Sequence, residues 1–351
     1  MAEPRFDFRS DNTGAAAPEI VAALAAANSG PAAGYGNDAW TAKVQRRFSE
    51  LFEKDVTVFP VATGTAANAI ALGAICPPYG AVYCSASAHV DTSECNATAF
   101  FGGGTKLVPL AGPHGKITAE ALEAAIAGAG IGLSHKSQPA AVNVVQATDW
   151  GAVYGVDEIA AIGRVARKHG LRFHMDGARF GNAVARLKCK PADVTWKAGV
   201  DVMSFGATKN GGVLADAIVV FTPGLADALR YHLRRAGQVW SKMRFASSQL
   251  LAYVEDDLWL RLAGQANAAA ARIAQAAEGR LLAPVEANEL FVELPSTAMD
   301  ALERAGFGFF RRGPSLARFV CRWDTSEEEV AALSAALREQ QGAPGVRSAA
   351  Q

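Results

Sequence analysis

Three short polar turns stand directly after three apolar runs in this chain, and each holds a residue type that can do chemistry. The turn "ATGTAANA" follows "VTVFPV", "DGARFGNA" follows "LRFHM", and "GATKNGG" follows "DVMSF". The first sets Gly64 between Thr63 and Thr65 at the start of a helical pattern, where unpaired amides and the helix dipole suit a phosphate. The second places Asp176 three residues before Arg179, and the third leaves Lys209 among residues too small to shield its charge. Singly, each has an ordinary explanation as a helix cap, a surface ion pair or a loop lysine. In an open α/β sheet, however, ligands collect beyond the carboxyl ends of the strands, and there the three turns share one rim. A phosphate cradle, an acid and a lysine on one rim meet the demands of pyridoxal phosphate. The lysine amine condenses with the aldehyde as a Schiff base, and small neighbours leave room for the flat ring. A carboxylate beside the pyridine nitrogen keeps that nitrogen protonated, so the ring draws electrons from the substrate.

The elements that must position these turns follow from periodicity. Strands are expected at 56–61, 81–85, 105–109, 140–148, 171–175, 201–205 and 216–221, each a short apolar or β-branched run. Between them lie helical patterns: "GTAANAIALGAIC", stopped by Pro77 and Pro78; "TAEALEAAIA", capped by Thr118; and "VDEIAAIGRVARKHG", closed by Gly170. This alternation builds a mainly parallel sheet, so the fold class is α/β. After position 223 the pattern changes to a long helical stretch over roughly 241–278. Strands at "EANELFVELP", "FGFFRR" and "LARFVCR" follow, then a last helix capped at Thr325 or Ser326. That order predicts a large domain over 1–240, a small C-terminal α+β domain over 241–340, and a disordered tail over 341–351.

Composition narrows the partners. Lys plus Arg and Asp plus Glu number 34 each, so no global field favours nucleic acid or an anionic membrane. No apolar run reaches the ~20 residues of a membrane helix, and "MAEPRFDFRSD" lacks the order of a signal peptide, which predicts a soluble, cytoplasmic protein acting on a small molecule. Five cysteines, odd in number and without a CxxC pair, argue against a disulfide framework or a zinc site, and no metal is expected.

The segments "RSDNTG", "GYGND", "ATGTAAN", "HMDGARFGNA", "SFGATKNGG" and "SKMRF" together resemble the low-specificity L-threonine aldolase family, from about position 6 to about position 335. The resemblance implies the aspartate-aminotransferase-like fold (fold type I), pyridoxal phosphate, and a homotetramer with active sites shared between subunits. It implies that Lys209 is the Schiff-base lysine, Asp176 pairs with the pyridine nitrogen, Arg179 sits by the phenolic oxygen, and Gly64 and Thr65 hold the phosphate. Thr63 replaces the family's usual serine in that turn. His89 matches the imidazole on the ring face, and Arg244, with Arg235, matches a phosphate contact from a neighbouring subunit. Ser10 and Arg318 match the pair that holds the substrate carboxylate, with Arg322 close by, and Tyr35 would line the substrate side. His135 matches the second active-site histidine, while His114, His169, His174 and His232 read as structural.

The implied reaction is aldol cleavage of L-threonine, L-allo-threonine and related β-hydroxy amino acids to glycine and an aldehyde, acetaldehyde from threonine. It passes through the Lys209 aldimine and a glycine quinonoid, with His89, His135 or a bound water taking the hydroxyl proton. Two alternatives stay open. One is phenylserine cleavage, β-elimination or racemisation on the same fold. The other is a nicotinamide-dependent oxidoreductase, although no GxGxxG follows a strand, and "FFGGGTKL" leads into a strand rather than a helix.

Overall fold

Apolar runs that recur between amphipathic helices give the chain a seven-stranded sheet with helices on both faces. The computed structural model describes residues 3–340, so the tail expectation for 341–351 lies outside the described residues. The strands in chain order are β1 (Phe6–Asp7), β2 (Thr57–Val61), β3 (Gly80–Ser85), β4 (Lys106–Leu110), β5 (Gln138–Val145), β6 (Arg172–Gly177), β7 (Val202–Phe205), β8 (Asp216–Val220), β9 (Glu289–Glu293), β10 (Phe307–Gly308), β11 (Phe310–Arg311) and β12 (Leu316–Val320). The large sheet runs β2-β8-β7-β6-β5-β3-β4 and is parallel except for β8, which is antiparallel to both of its neighbours. All seven expected strands are therefore present, within a few residues of the expected ends.

The central strands are buried on both faces, which is why β3, β7 and β8 read as unbroken apolar runs rather than alternating ones. The helix Gly64–Ile75 is apolar around nearly its whole circumference because it too is buried on nearly all sides. Thr63 caps it, its hydroxyl accepting from the Ala66 amide at 3.1 Å. Thr118 caps Ala119–Ala127 in the same way.

Past residue 223 the structure departs from the expected pattern in two places. The single long helix is two helices, Arg244–Val254 and Leu258–Ala276, separated at Asp256 and Asp257, which both adopt left-handed φ angles of 48° and 52°. "FGFFRR" is likewise two short strands: β10 pairs in parallel with β1 near the N-terminus, and β11 joins the antiparallel order β11-β12-β9. The last helix is Glu327–Glu339, and Ser326 is its cap, in a capping box with Glu329.

Three main apolar cores result. One lies on one face of the large sheet and extends through Leu250, Trp259 and Leu262, and a second lies on its other face with Ile70, Leu72, Val82, Val202 and Ile218. The third, away from the large sheet, gathers Phe6 and Phe8 with Ile273, Leu290, Phe319 and Leu333, so the N-terminal segment packs with the C-terminal elements. Among the described residues, no helix is long and apolar enough to cross a membrane.

Candidate active site

The carboxyl ends of β2, β3, β5, β6 and β7 and the start of β8 open onto one cavity of about 930 Å³. Ser10, Thr63, Gly64, Thr65, His89, Asp176, Arg179, Lys209 and Arg318 all line it. Nine residues that lie as far apart in sequence as 10 and 318 thus meet in one place.

Lys209 sits in a tight turn, Thr208–Asn210, directly after β7. Asp216, at the start of β8, pins the near side of that turn by accepting from the amides of Ala207 at 2.9 Å and Thr208 at 3.1 Å. Asn210 pins the far side, donating to the Tyr253 hydroxyl at 2.8 Å and the Trp259 carbonyl at 2.9 Å. Gly211 closes the turn with φ 94°, and a Cβ there would meet Leu262 at 2.9 Å. The turn is fixed on both sides, while Lys209 Nζ makes no hydrogen bond or close ion pair with any described residue. An amine held in place with its lone donor group unengaged is ready for a ligand.

Asp176 ends β6 and is 2% exposed. Its Oδ1 accepts from the Ala178 amide at 3.0 Å, and its Oδ2 from Asn68 Nδ2 at 2.8 Å. The same Asn68 amide donates to Glu94 Oε1 at 3.0 Å, and that oxygen contacts His89 Nδ1 at 2.9 Å. A single amide group thereby ties the buried acid to the imidazole. The Glu94 hydrogen bond holds the His89 pKa above its ordinary value, against the opposing effects of burial and the Lys209 charge.

At the opposite wall Arg179 is enclosed by carboxylates. It donates from Nε to Asp11 Oδ2 at 2.7 Å and from Nη2 to Asp11 Oδ1 at 3.2 Å, and Nη2 lies 2.7 Å from Glu289 Oε1. Arg318 Nη2 donates to the same Glu289 oxygen at 2.5 Å, while Arg318 Nε is buried with no partner among the described residues. Burial alone would raise the Asp11 pKa, but Arg179 and Lys209 bring it below the ordinary carboxylate value. Arg322 is turned away from the cavity, held by Asp324 and Glu329 and by the Asp7 carbonyl.

Four expected residues do not line this cavity. His135 is on an exposed turn, and Arg235 borders a separate groove beside Phe100 and Cys76. Tyr35 is 55% exposed and lies under the Arg234 guanidinium at 5.4 Å, and its amide donates to the Ser241 carbonyl at 3.2 Å. Arg244 donates to the Gly30 carbonyl at 2.9 Å. The segments around 30–35 and 234–244 therefore form a cluster of their own.

Asp11, Asn68, Glu94, Asp149 and Glu289 are site residues that the sequence reading passes over. For two of them a signal existed. Asn68 is the one amide in the apolar helix "GTAANAIALGAI", and Glu289 opens the apolar strand "ELFVE". A lone polar group in a buried element needs a polar reason.

The residues present fit pyridoxal phosphate by their donor set. The amides of Gly64 and Thr65 have no acceptor among the described residues and sit at the start of a 12-residue helix on the cavity wall. Asp176, His89 and Lys209 line the same space.

Comparison with known proteins agrees with this geometry. The model of the family described as beta-eliminating lyase matches residues 7–296. A low specificity L-threonine aldolase of Pseudomonas sp. is 43% identical over 344 residues, covering 96% of this chain and 99% of that protein. The solved structure of a Leishmania major threonine aldolase superposes with a TM-score of 0.89 at 27% identity, covering 95% of this chain and 99% of its own. An SPT structure containing PLP shares the fold at 16% identity, with a TM-score of 0.69 over 95% of this chain and 86% of its own.

Proposed function

The chain belongs to the beta-eliminating lyase family and has the pyridoxal-phosphate fold type I, and from that premise we propose that it cleaves L-threonine, L-allo-threonine and related β-hydroxy-α-amino acids to glycine and an aldehyde. Acetaldehyde is the aldehyde from threonine, and the enzyme is a carbon–carbon lyase. The observation that carries this reading is the unengaged amine of Lys209 in one cavity with Asp176, His89 and the open amides of Gly64 and Thr65.

When bound, pyridoxal phosphate supplies an aldehyde for amines and a ring that takes up the electron pair released at Cα. The chain's residues do the rest. Gly64, Thr65 and the Thr63 turn receive the phosphate at a helix N-terminus. Asp176, aimed by Asn68, would keep the pyridine nitrogen protonated, and His89, aimed by Glu94, would hold the ring. Arg179, fixed by Asp11 and Glu289, would offer its charge to the phenolic oxygen. Ser10 and Arg318 hold the substrate carboxylate, for which the unpartnered Arg318 Nε offers a further donor. Fixing the carboxylate takes its own bond to Cα out of contention, so that with a β-hydroxyl on the substrate the Cα–Cβ bond can be the one that breaks once a base takes the hydroxyl proton.

Tyr35, Arg235 and Arg244 take their roles in a neighbouring subunit's site, within a homotetramer of this cytoplasmic enzyme. Their placement outside this chain's own cavity supports that assignment, and His135, exposed on its turn, belongs with them in having no contact to this chain's cavity. A second reading, preference for phenylserine, is favoured by one observation: the rings of Trp150 and Phe291 pack at 4.7 Å and both line the cavity. Initial rates on threonine, allo-threonine and phenylserine separate the two.

The central test is Lys209→Ala. Borohydride reduction of the wild type should fix the cofactor on the peptide containing Lys209, as mass spectrometry reads it. The variant should take no such label, and its threonine cleavage should fall by at least ~100-fold. Label on another lysine, or a variant that still cleaves threonine well, refutes the assignment.

A further inference from the structure

Aldol cleavage requires a group that removes the proton of the substrate's β-hydroxyl; Lys209 is assigned to the cofactor aldehyde, and the acids and histidines named above are engaged or placed elsewhere. His89 is bound through Nδ1 to Glu94, and that bond favours its protonated form. Both oxygens of Asp176 accept hydrogen bonds, and Glu289 is shared by two guanidinium groups. His135 does not reach the cavity of this chain.

Asp149 is different. It stands four residues beyond the end of β5, on the cavity wall beside Trp150. Its carboxyl makes no hydrogen bond or ion pair with any described residue, and Oδ2 is shielded from solvent without a partner. A buried carboxylate oxygen without a donor is costly, and a ligand hydroxyl would relieve that cost.

We propose that Asp149 is a catalytic residue that accepts the β-hydroxyl proton of the bound amino acid. This rests on the aldolase reading and names the base for it. The O–H bond breaks as its proton passes to Oδ2, and the O–H electron pair becomes the second bond of the aldehyde carbonyl. The Cα–Cβ bond breaks, and its pair stays with the Cα fragment until Cα is protonated to give glycine. In the direction of synthesis Asp149 returns the proton to the aldehyde oxygen.

The groups that face Asp149 suit it to that task. Asp176 from β6 and Glu289 from β9 are acidic, while Arg179 and His89 are the cationic counterparts. Burial, then the two carboxylates, push the Asp149 pKa up to about 6, against Arg179 and His89. At pH 7 to 8 such a carboxylate is ionised and a better base than a surface aspartate.

The test compares Asp149→Asn and Asp149→Glu with wild type as holoenzymes. In Asp149→Asn, kcat on threonine should fall by at least ~100-fold, and Asp149→Glu should recover part of it. The acid limb of the kcat profile near pH 6 should vanish in Asp149→Asn. Exchange of the glycine α-proton with deuterated solvent involves no β-hydroxyl and should be retained, as should cofactor affinity. In the cofactor-free protein, carboxyl ¹³C NMR should show one aspartate titrating near 6 that is missing from Asp149→Asn.

Unchanged kcat and acid limb in Asp149→Asn overturn the proposal. So does an equal loss of glycine exchange, which would assign Asp149 to the cofactor rather than to the hydroxyl. A wild type that exchanges glycine but cleaves no β-hydroxy amino acid overturns the aldolase reading, and with it the substrate on which Asp149 acts.

Discussion

Replacing His174 with glutamine should flatten the acid side of the protein's stability profile. His174 lies in the middle of β6, fully buried, with Nδ1 2.7 Å from Asn143 Nδ2 and Nε2 without a partner. Burial lowers its pKa from 6.5 to about 4, only partly opposed by Asp176, so the ring is neutral in the fold down to that pH. The sign follows from proton counting. Below 6.5 the unfolded chain takes up a proton that the native ring refuses, so stability is full above 6.5 and declines as pH falls towards about 4. Each unit in that window is worth ~1.4 kcal/mol, which gives about 2 kcal/mol lost by pH 5 and about 3 kcal/mol by pH 4. Glutamine keeps a polar group opposite Asn143 and does not titrate. Urea midpoints for wild type and variant, measured at half-unit steps from pH 7.5 to 4.5, isolate this contribution as the difference between two slopes, since all other groups are common to both. Parallel slopes would refute the reasoning, because they would mean that His174 binds its proton equally in the folded and unfolded states.

Two further substitutions probe the site's framework. Glu289→Gln removes the charge shared by Arg179 and Arg318 in a buried setting and should cost about 3 kcal/mol of stability, with a raised KM for the amino acid. Unchanged urea unfolding together with unchanged KM would show that Glu289 does not position these arginines. Glu94→Gln should return the His89 pKa towards 6.5, so the stability that the pair adds, present below 6.5 and lost as pH rises through the higher folded value, should disappear from the acid side. Histidine NMR titration of wild type and variant reads the shift directly, and identical curves for His89 would refute it.

The large sheet was legible because its strands are short apolar runs between strong breakers, and because buried parallel strands need no subtle alternation. The rim turns were legible for a related reason. Gly64, Asp176 and Lys209 each lie at or just past the carboxyl end of a strand, so the local sequence places them without knowledge of distant partners. What stayed hidden depends on contacts across the chain. The corner at Asp256 and Asp257 lies between two helices that both bury apolar faces, so the helical period continues across it. Only the tolerance of aspartate for left-handed φ hints at the break. The pairing of Phe6–Asp7 with Phe307–Gly308 joins the two ends of the described chain, and no local pattern encodes it. Asp11 and Glu94 were hidden for the same reason, since their roles exist only once Arg179 and His89 are brought to them.

That last dependence also links folding to function. The proposed carboxylate anchor, Arg318, is held by Glu289, which holds Arg179, which is held by Asp11. Asn288 closes the set by donating to Asp11 at 3.2 Å and to the Cys321 carbonyl at 2.8 Å. These residues come from the N-terminal segment, the turn after β6, β9 with the residue before it, and β12 with the residue after it, so the anchor forms only when the C-terminal core has assembled around Phe6 and Phe8. The proposed cofactor side of the cavity, built from Gly64, Asn68, Glu94, Asp176 and Lys209, draws on the large sheet and its helices. Loosening the C-terminal core should therefore weaken the proposed grip on the substrate carboxylate before it touches the proposed phosphate cradle, because the carboxylate wall is the one made from elements that must first meet across the length of the chain.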